Sequence, residues 1–214
     1  MTASVESILA AAHAEWNHWG QSRWNLKTGQ RSIQHTDDEP DFARLVIDRY
    51  CAIGGGSPTL DQISNDDYAW SAVGISAAMK MAGFTRHEFP FTESHSKYIR
   101  HFVAARVNGD EAAPYWGFRL DEEGGEPDVG DIVAYARGDR MSHEKAARFF
   151  DAKKSYLSHG DIVVDKRVGE IDVIGFNVLD SVTMKTLPLR DDGHIGDRTH
   201  HWFAILKHRL QSSD

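Results

Sequence analysis

A single cysteine, Cys51, stands in 214 residues, which excludes an internal disulfide framework and any zinc site built on thiolates. Basic residues are also scarce, 24 Lys and Arg against 32 Asp and Glu. The formal net charge of -8 leaves no clustered cationic face for a phosphate backbone. Long apolar runs are missing: none approaches the ~20 residues needed to cross a bilayer. The opening MTASVESILA has no basic stretch ahead of an apolar core. The expectation is a cytoplasmic protein, or one delivered to the envelope by a route without a cleaved signal, with no nucleic-acid partner and no membrane span. Internal repeats and low-complexity tracts are absent as well. With 41% apolar and 26% charged residues, the chain has an ordinary globular composition, and its length suits a single domain over 1–214.

What is present centres on 66–83, DDYAWSAVGISAAMKMAG. Between Ala69 and Ala82 only Ser71, Ser76 and Lys80 are polar, and a helix apolar on every side sits inside a fold. Asn65, Asp66 and Asp67 are candidate N-caps and Gly83 is the stop. Ser71 then falls in the first or second turn, at the positive end of the helix dipole, where developing negative charge is favoured. It is a candidate nucleophile there; the competing reading is a small residue chosen for close packing.

Upstream, 4–19 reads as an amphipathic helix with Ile8, Leu9, Ala12, Trp16 and Trp19 on one stripe. The polar stretch 20–40 reads as a long connection. A second helix over 41–51 follows, stopped by Gly54-Gly55-Gly56-Ser57-Pro58, a glycine run lacking the Lys of a phosphate-cradling loop. Downstream, 92–107 reads as a helix with His95 in its first turn, and 108–129 as a loop. Short β-branched or aromatic runs then appear at 131–135, 161–164, 171–178, 182–187 and 202–206. A mainly helical part, 1–107, followed by an antiparallel sheet part, 128–207, gives an α+β fold.

Several motif matches fail. Ser94-His95-Ser96-Lys97 fits S-x-x-K, but its K-T-G companion, Lys27-Thr28-Gly29, lies on the wrong side. Gly74 to Ala78 approaches a nucleophile elbow inside a helix, where no strand leads into it. Ala147 replaces the second histidine that His143-Glu144 would need to bind zinc. His200 and His201 point to opposite faces of a strand. The segment 158–166, SHGDIVVDK, is more informative, because period-2 alternation puts His159 and Asp161 on one face. They stand about 6.5–7 Å apart along the strand, so a residue on a neighbouring strand is the nearer orienting partner. Asn177 lies opposite His159 if 158–166 and 171–178 pair antiparallel. A nucleophile, base and orienter result: Ser71, His159 and Asn177. Equally open is that His159 and Asn177 only satisfy backbone groups at strand ends.

Trp70-Ser71-Ala72 opening a buried helix, Pro127-Asp128-Val129-Gly130-Asp131 entering a strand, His159 heading the next and Asn177 after it resemble the CHAP and NlpC cell-wall amidohydrolases. With 91–98 (FTESHSKY), H-x-D-I-V-V and 174–178 (IGFNV), the pattern is closer still to a bacterial family of unknown function grouped with them. The resemblance runs from about Trp16 to Leu206 and implies a papain-like fold, N-terminal helices packed on a mainly antiparallel sheet. It puts Ser71 where those enzymes carry a thiol. A thiol beside a histidine ionises before attack, whereas a serine loses its proton during attack. His95 and Asp161 belong to the closer family's pattern, as a second base or an orienting charge, and Trp70 and Tyr98 are implied substrate contacts.

Three expectations follow. The first is a hydrolase of amide bonds in cell-wall peptides or related acyl substrates, with Ser71 as nucleophile, His159 as base, and Asn177 or Asp161 as orienter. The second is a non-catalytic module that binds a peptidoglycan fragment or a protein partner in the same cleft. The third is a metal-dependent enzyme, which requires His95, His159 and Asp161 to converge on one ion. No cofactor is expected under the first two.

Overall fold

The computed structural model describes residues 2–65 and 67–210. Among these are six helices and eight strands, in an α+β arrangement on one mixed sheet. Helix α1 (Val5–His18) starts at Ser4, whose hydroxyl accepts from the amide of Ser7 in a capping box. Trp16 and Trp19 are buried, as their spacing predicts. Strands β1 (Ser22–Asn25) and β2 (Arg31–Ser32) follow within the expected connection. They span only four and two residues, with Ser22 buried and Arg31 and Ser32 exposed, so no alternation has room to develop. Helix α2 (Pro40–Ile53) ends at Gly54 in the left-handed region, φ 64°.

The central helix is shorter than expected. Thr59 and Gln62 form a capping box that starts a separate short helix, α3 (Leu60–Ser64). The main helix, α4 (Ser71–Met81), begins only at Ser71, with Trp70 as N-cap and no side-chain cap bond. Asp67 therefore lies ahead of the helix, and Asp66, another expected cap, lies outside the described residues. The all-round burial of 71–79 agrees with the apolar sequence, since α4 packs on α1 and α2 on one side and on the sheet on the other.

Helix α5 (His95–Val107) starts three residues later than expected, with Ser94 as N-cap. Strand β3 (Tyr115–Arg119) occupies part of the expected loop; it buries only alternate residues over five positions. Then come β4 (Ile132–Ala136), the short α6 (His143–Ala147), β5 (Ser158–Arg167), β6 (Glu170–Phe176), β7 (Val182–Pro188) and β8 (His201–His208). The sheet order is β2-β1-β7-β6-β5-β4-β8-β3. All pairings are antiparallel except β1 with β7.

Each face of the sheet buries its own core. Ile132, Ala134, Ile162, Val164, Ile174 and Phe176 face the helices. Val133, Val163, Val173, Leu187, Trp202 and Ile205 form a second cluster on the far side, joined by Ile195 from the loop before β8. Full burial of each large aliphatic or aromatic side chain contributes about 1.5–3 kcal/mol. Both faces of the central strands are therefore dry, and polar groups placed there need partners.

Candidate functional site

Ser71 is the first residue of α4 and His95 the first of α5. Their meeting is prepared by Ser76, one turn further along α4. Its hydroxyl donates to the carbonyl of Thr92 and accepts from the Thr92 amide, both at 3.0 Å, which clamps the chain just ahead of His95. His95 Nε2 then lies 2.7 Å from Ser71 Oγ. On the other edge of the ring, Nδ1 is 2.5 Å from the hydroxyl of Tyr98, which the i, i+3 helical spacing brings to the same face. Ser71 and His95 are each 4% exposed and Tyr98 is fully buried.

Burial, then the neighbouring His159, holds the His95 imidazole well below its usual range, with Asp161 opposing the shift. His95 is therefore neutral at pH 7. With its proton on Nδ1, donated to the Tyr98 oxygen, Nε2 is free to accept from Ser71. Burial, then Asp161, pushes the Tyr98 phenol well above its usual value, so it stays protonated. The first-turn amides of α4 have no carbonyl one turn back to bond, which leaves donors and a positive dipole end beside Ser71 Oγ.

The expected orienter of the histidine is placed differently. In the β5–β6 ladder Asp161 faces Gly175, so an extended strand would carry Asn177 opposite His159. But β6 ends at Phe176, and Asn177 takes up φ 52°. Turning the Asn177 amide so that its oxygen faces Trp70 would let it accept from the backbone and indole N–H of that residue, both at 3.3 Å. Asn177 is thus placed against the residue before the serine. Trp70, expected as a substrate contact, is 2% exposed, stacked on Trp19 at 5.1 Å, and its indole N–H donates to Asp37 at 2.5 Å. Tyr98, the other expected contact, lies under His95.

His159 and Asp161 share a face, as expected, and it is the sheet's far face. The pair is closer than strand spacing alone suggests: His159 Nε2 lies 3.3 Å from Asp161 Oδ1 because the side chains lean toward each other. Asp161 also meets Lys185 from β7, Nζ to Oδ2 2.7 Å, with both residues 0% exposed. Although burial raises the Asp161 carboxyl, Lys185 and His159 together bring it well below the carboxylate range. Burial lowers His159 too, against Asp161 and with Lys185. The two histidine rings approach at 5.1 Å between centroids, at the head of β5. The site is therefore two linked parts: Ser71, His95 and Tyr98 on the helix face, and His159, Asp161 and Lys185 behind. His95, His159 and Asp161 do not converge on one point; among the described residues no group of three or more His, Cys, Asp or Glu is placed to hold an ion.

Two glycines make room for this. A Cβ on Gly160 would lie 2.4 Å from the Tyr98 hydroxyl, and one on Gly175 would lie 2.0 Å from Asp161 Oδ1. Gly175→Ala is expected to destabilise the fold by about 3 kcal/mol, at the upper end for overpacking, because the obstructing atom belongs to a buried ion pair. Urea unfolding of the two proteins measures it.

Lys185 and Tyr135 were missed from the sequence. The signal for Lys185 was available: a lysine at the centre of the apolar run VTMKTLP, on the same face as Thr183 and Leu187, demands a buried partner. Tyr135, which stacks on His159 at 5.0 Å, reads simply as a strand aromatic.

A family model described as an uncharacterized protein conserved in bacteria, DUF2272, matches residues 49–208. That span holds every residue of the Ser71 and Lys185 arms. No curated protein matches the chain, and no solved structure does.

Proposed function

The chain belongs to this bacterial family, and on that premise we propose that it is a serine-type hydrolase of amide bonds in cell-wall peptides or related acyl substrates. One observation carries the reading: His95 Nε2 stands 2.7 Å from Ser71 Oγ at the start of a buried helix. As Ser71 attacks an acyl carbonyl, His95 Nε2 takes its proton, and Tyr98 accepts the hydrogen bond of the resulting imidazolium through Nδ1–H. The carbonyl oxygen, now an oxyanion, is received by first-turn amides of α4. His95 returns the proton to the leaving amine, and water, activated in the same way, releases the acyl group from Ser71. Base and nucleophile both sit at helix starts, so the histidine that stands on the strand, His159, has a supporting place. A nucleophile at a helix start against a largely antiparallel sheet supports a papain-like arrangement.

The 4% exposure of Ser71 favours a second reading, a closed polar pocket that binds a peptidoglycan fragment or a protein partner without turnover. Intact-mass labelling with a small fluorophosphonate separates the two. One adduct on Ser71 in the wild type, and none in Ser71→Ala of unchanged circular dichroism, is expected for the hydrolase. Absence of labelling alongside saturable binding of a muropeptide supports the pocket.

A further inference from the structure

Lys185 lies in the middle of β7 with no exposed surface. Its Nζ is 2.7 Å from Asp161 Oδ2, 4.7 Å from the Tyr135 ring centre and 5.5 Å from that of Trp202. Lysines are almost never buried in this way without a partner. Asp161 lies between this cation and His159, whose ring packs against Tyr135 on one side and His95 on the other, at 5.0 and 5.1 Å. The ring nitrogens of His159, the Asp161 oxygens and Lys185 Nζ complete no directional hydrogen bond among the described residues. The coupling between them is thus mainly Coulombic, through a medium of low dielectric.

We propose that Lys185 is a positioning residue for the Ser71–His95 pair: it balances the Asp161 charge so that His159 stays uncharged, and an uncharged His159 leaves His95 able to take the serine proton. The functional half of this inference rests on the serine-hydrolase reading; the electrostatic half does not. The groups facing His159 are Asp161 on its own strand, Tyr135 on β4 with Arg137 just beyond, Lys185 on β7, and His95 on α5. His200 packs behind Tyr135, at 4.7 Å.

Without the ammonium, the buried Asp161 carboxylate has one basic group within ion-pair reach among the described residues, His159 at 3.3 Å, and a proton taken up there restores neutrality. The resulting imidazolium lies against His95. A like charge so close lowers the basicity of its neighbour by about a unit or more, and the pull on the Ser71 proton weakens accordingly. Burial works in the same direction in the wild type, where both imidazoles lie below their usual range.

The test is a nitrogen-15 NMR titration of the histidine rings from pH 5 to 8 in the wild type, Lys185→Met and Lys185→Met/Asp161→Asn. In the wild type His95 and His159 are expected to be neutral at pH 7. In Lys185→Met, His159 becomes imidazolium at pH 6, and in the double variant, with both charges removed, it returns to neutral. A neutral His159 across that range in Lys185→Met overturns the proposal, as does an imidazolium His159 in the wild type at pH 7. The wild-type spectrum decides if Lys185→Met does not fold. Fluorophosphonate labelling of Ser71 is expected to slow about tenfold in Lys185→Met and to recover in the double variant. If the wild type is never labelled, the hydrolase reading falls while the titration still decides the state of His159.

Discussion

His95→Gln is expected to slow fluorophosphonate labelling of Ser71 by about 10²- to 10⁴-fold, the range that a positioned general base supplies. Glutamine retains a polar group beside Ser71 Oγ but cannot take up its proton at neutral pH. The contrast that matters is with His159→Gln. His159 makes no hydrogen bond to Ser71 and acts on it only through His95, with the rings 5.1 Å apart. Its loss is expected to cost far less, on the order of tenfold or below. The reverse ranking, with His159→Gln the more damaging, would restore the assignment of His159 as base that the sequence suggests. Labelling rates of the two variants, read by intact mass at several times, decide between them.

Asp161→Ala is expected to destabilise the protein by about 3–5 kcal/mol, the cost of removing one partner from a buried ion pair. Lys185 would be left without a counter-charge in a site that is 0% exposed. The pH dependence carries a second signature. The folded Asp161 carboxyl lies below its unfolded value, the pull of Lys185 and His159 outweighing the effect of burial. Its contribution is therefore fully present above the unfolded value of about 4 and is lost as the pH falls through the folded one. Urea midpoints measured between pH 7 and pH 2 should drop on the acid side in the wild type. The variant should start lower at pH 7 and lack that part of the slope. An unchanged midpoint at pH 7 would mean that the pair contributes no net stability.

The sequence was most readable where one period ran unbroken. The stripe of α1, the stop at Gly54 and the apolar run of α4 each show in residue spacing, as do the central strands. Strands β1, β2 and β3 were not legible, because β1 and β2 span only four and two residues and the alternate burial of β3 meets no polar–apolar alternation in its sequence, YWGFR. The site was readable in its parts and less so in its connections. Ser71, His95, His159, Asp161 and Asn177 could all be named. Which histidine reaches the serine depends on the clamp between Ser76 and Thr92, and such a contact leaves no mark in local pattern. The role of Asn177 turned on a backbone φ of 52° one residue past the end of β6, where strand geometry no longer applies.

The parallel pairing of β1 with β7 has a consequence for how the chain acquires its structure. Ser22 lies beside Thr183, and the hydroxyls of Ser22 and Ser181 meet at 3.0 Å, so residues from opposite ends of the chain must find each other. During synthesis at about 5–20 residues per second, β1 emerges many seconds before the strand it will lie against. Until then β2 is its strand partner, with the Trp16 indole of α1 on the Ser22 carbonyl, and a two-stranded ribbon is marginal in water. Closing so long a loop contributes to high contact order and slow folding. The docking of β1 is thus expected to be a late event, well after the hairpins among β5, β6 and β7 have formed.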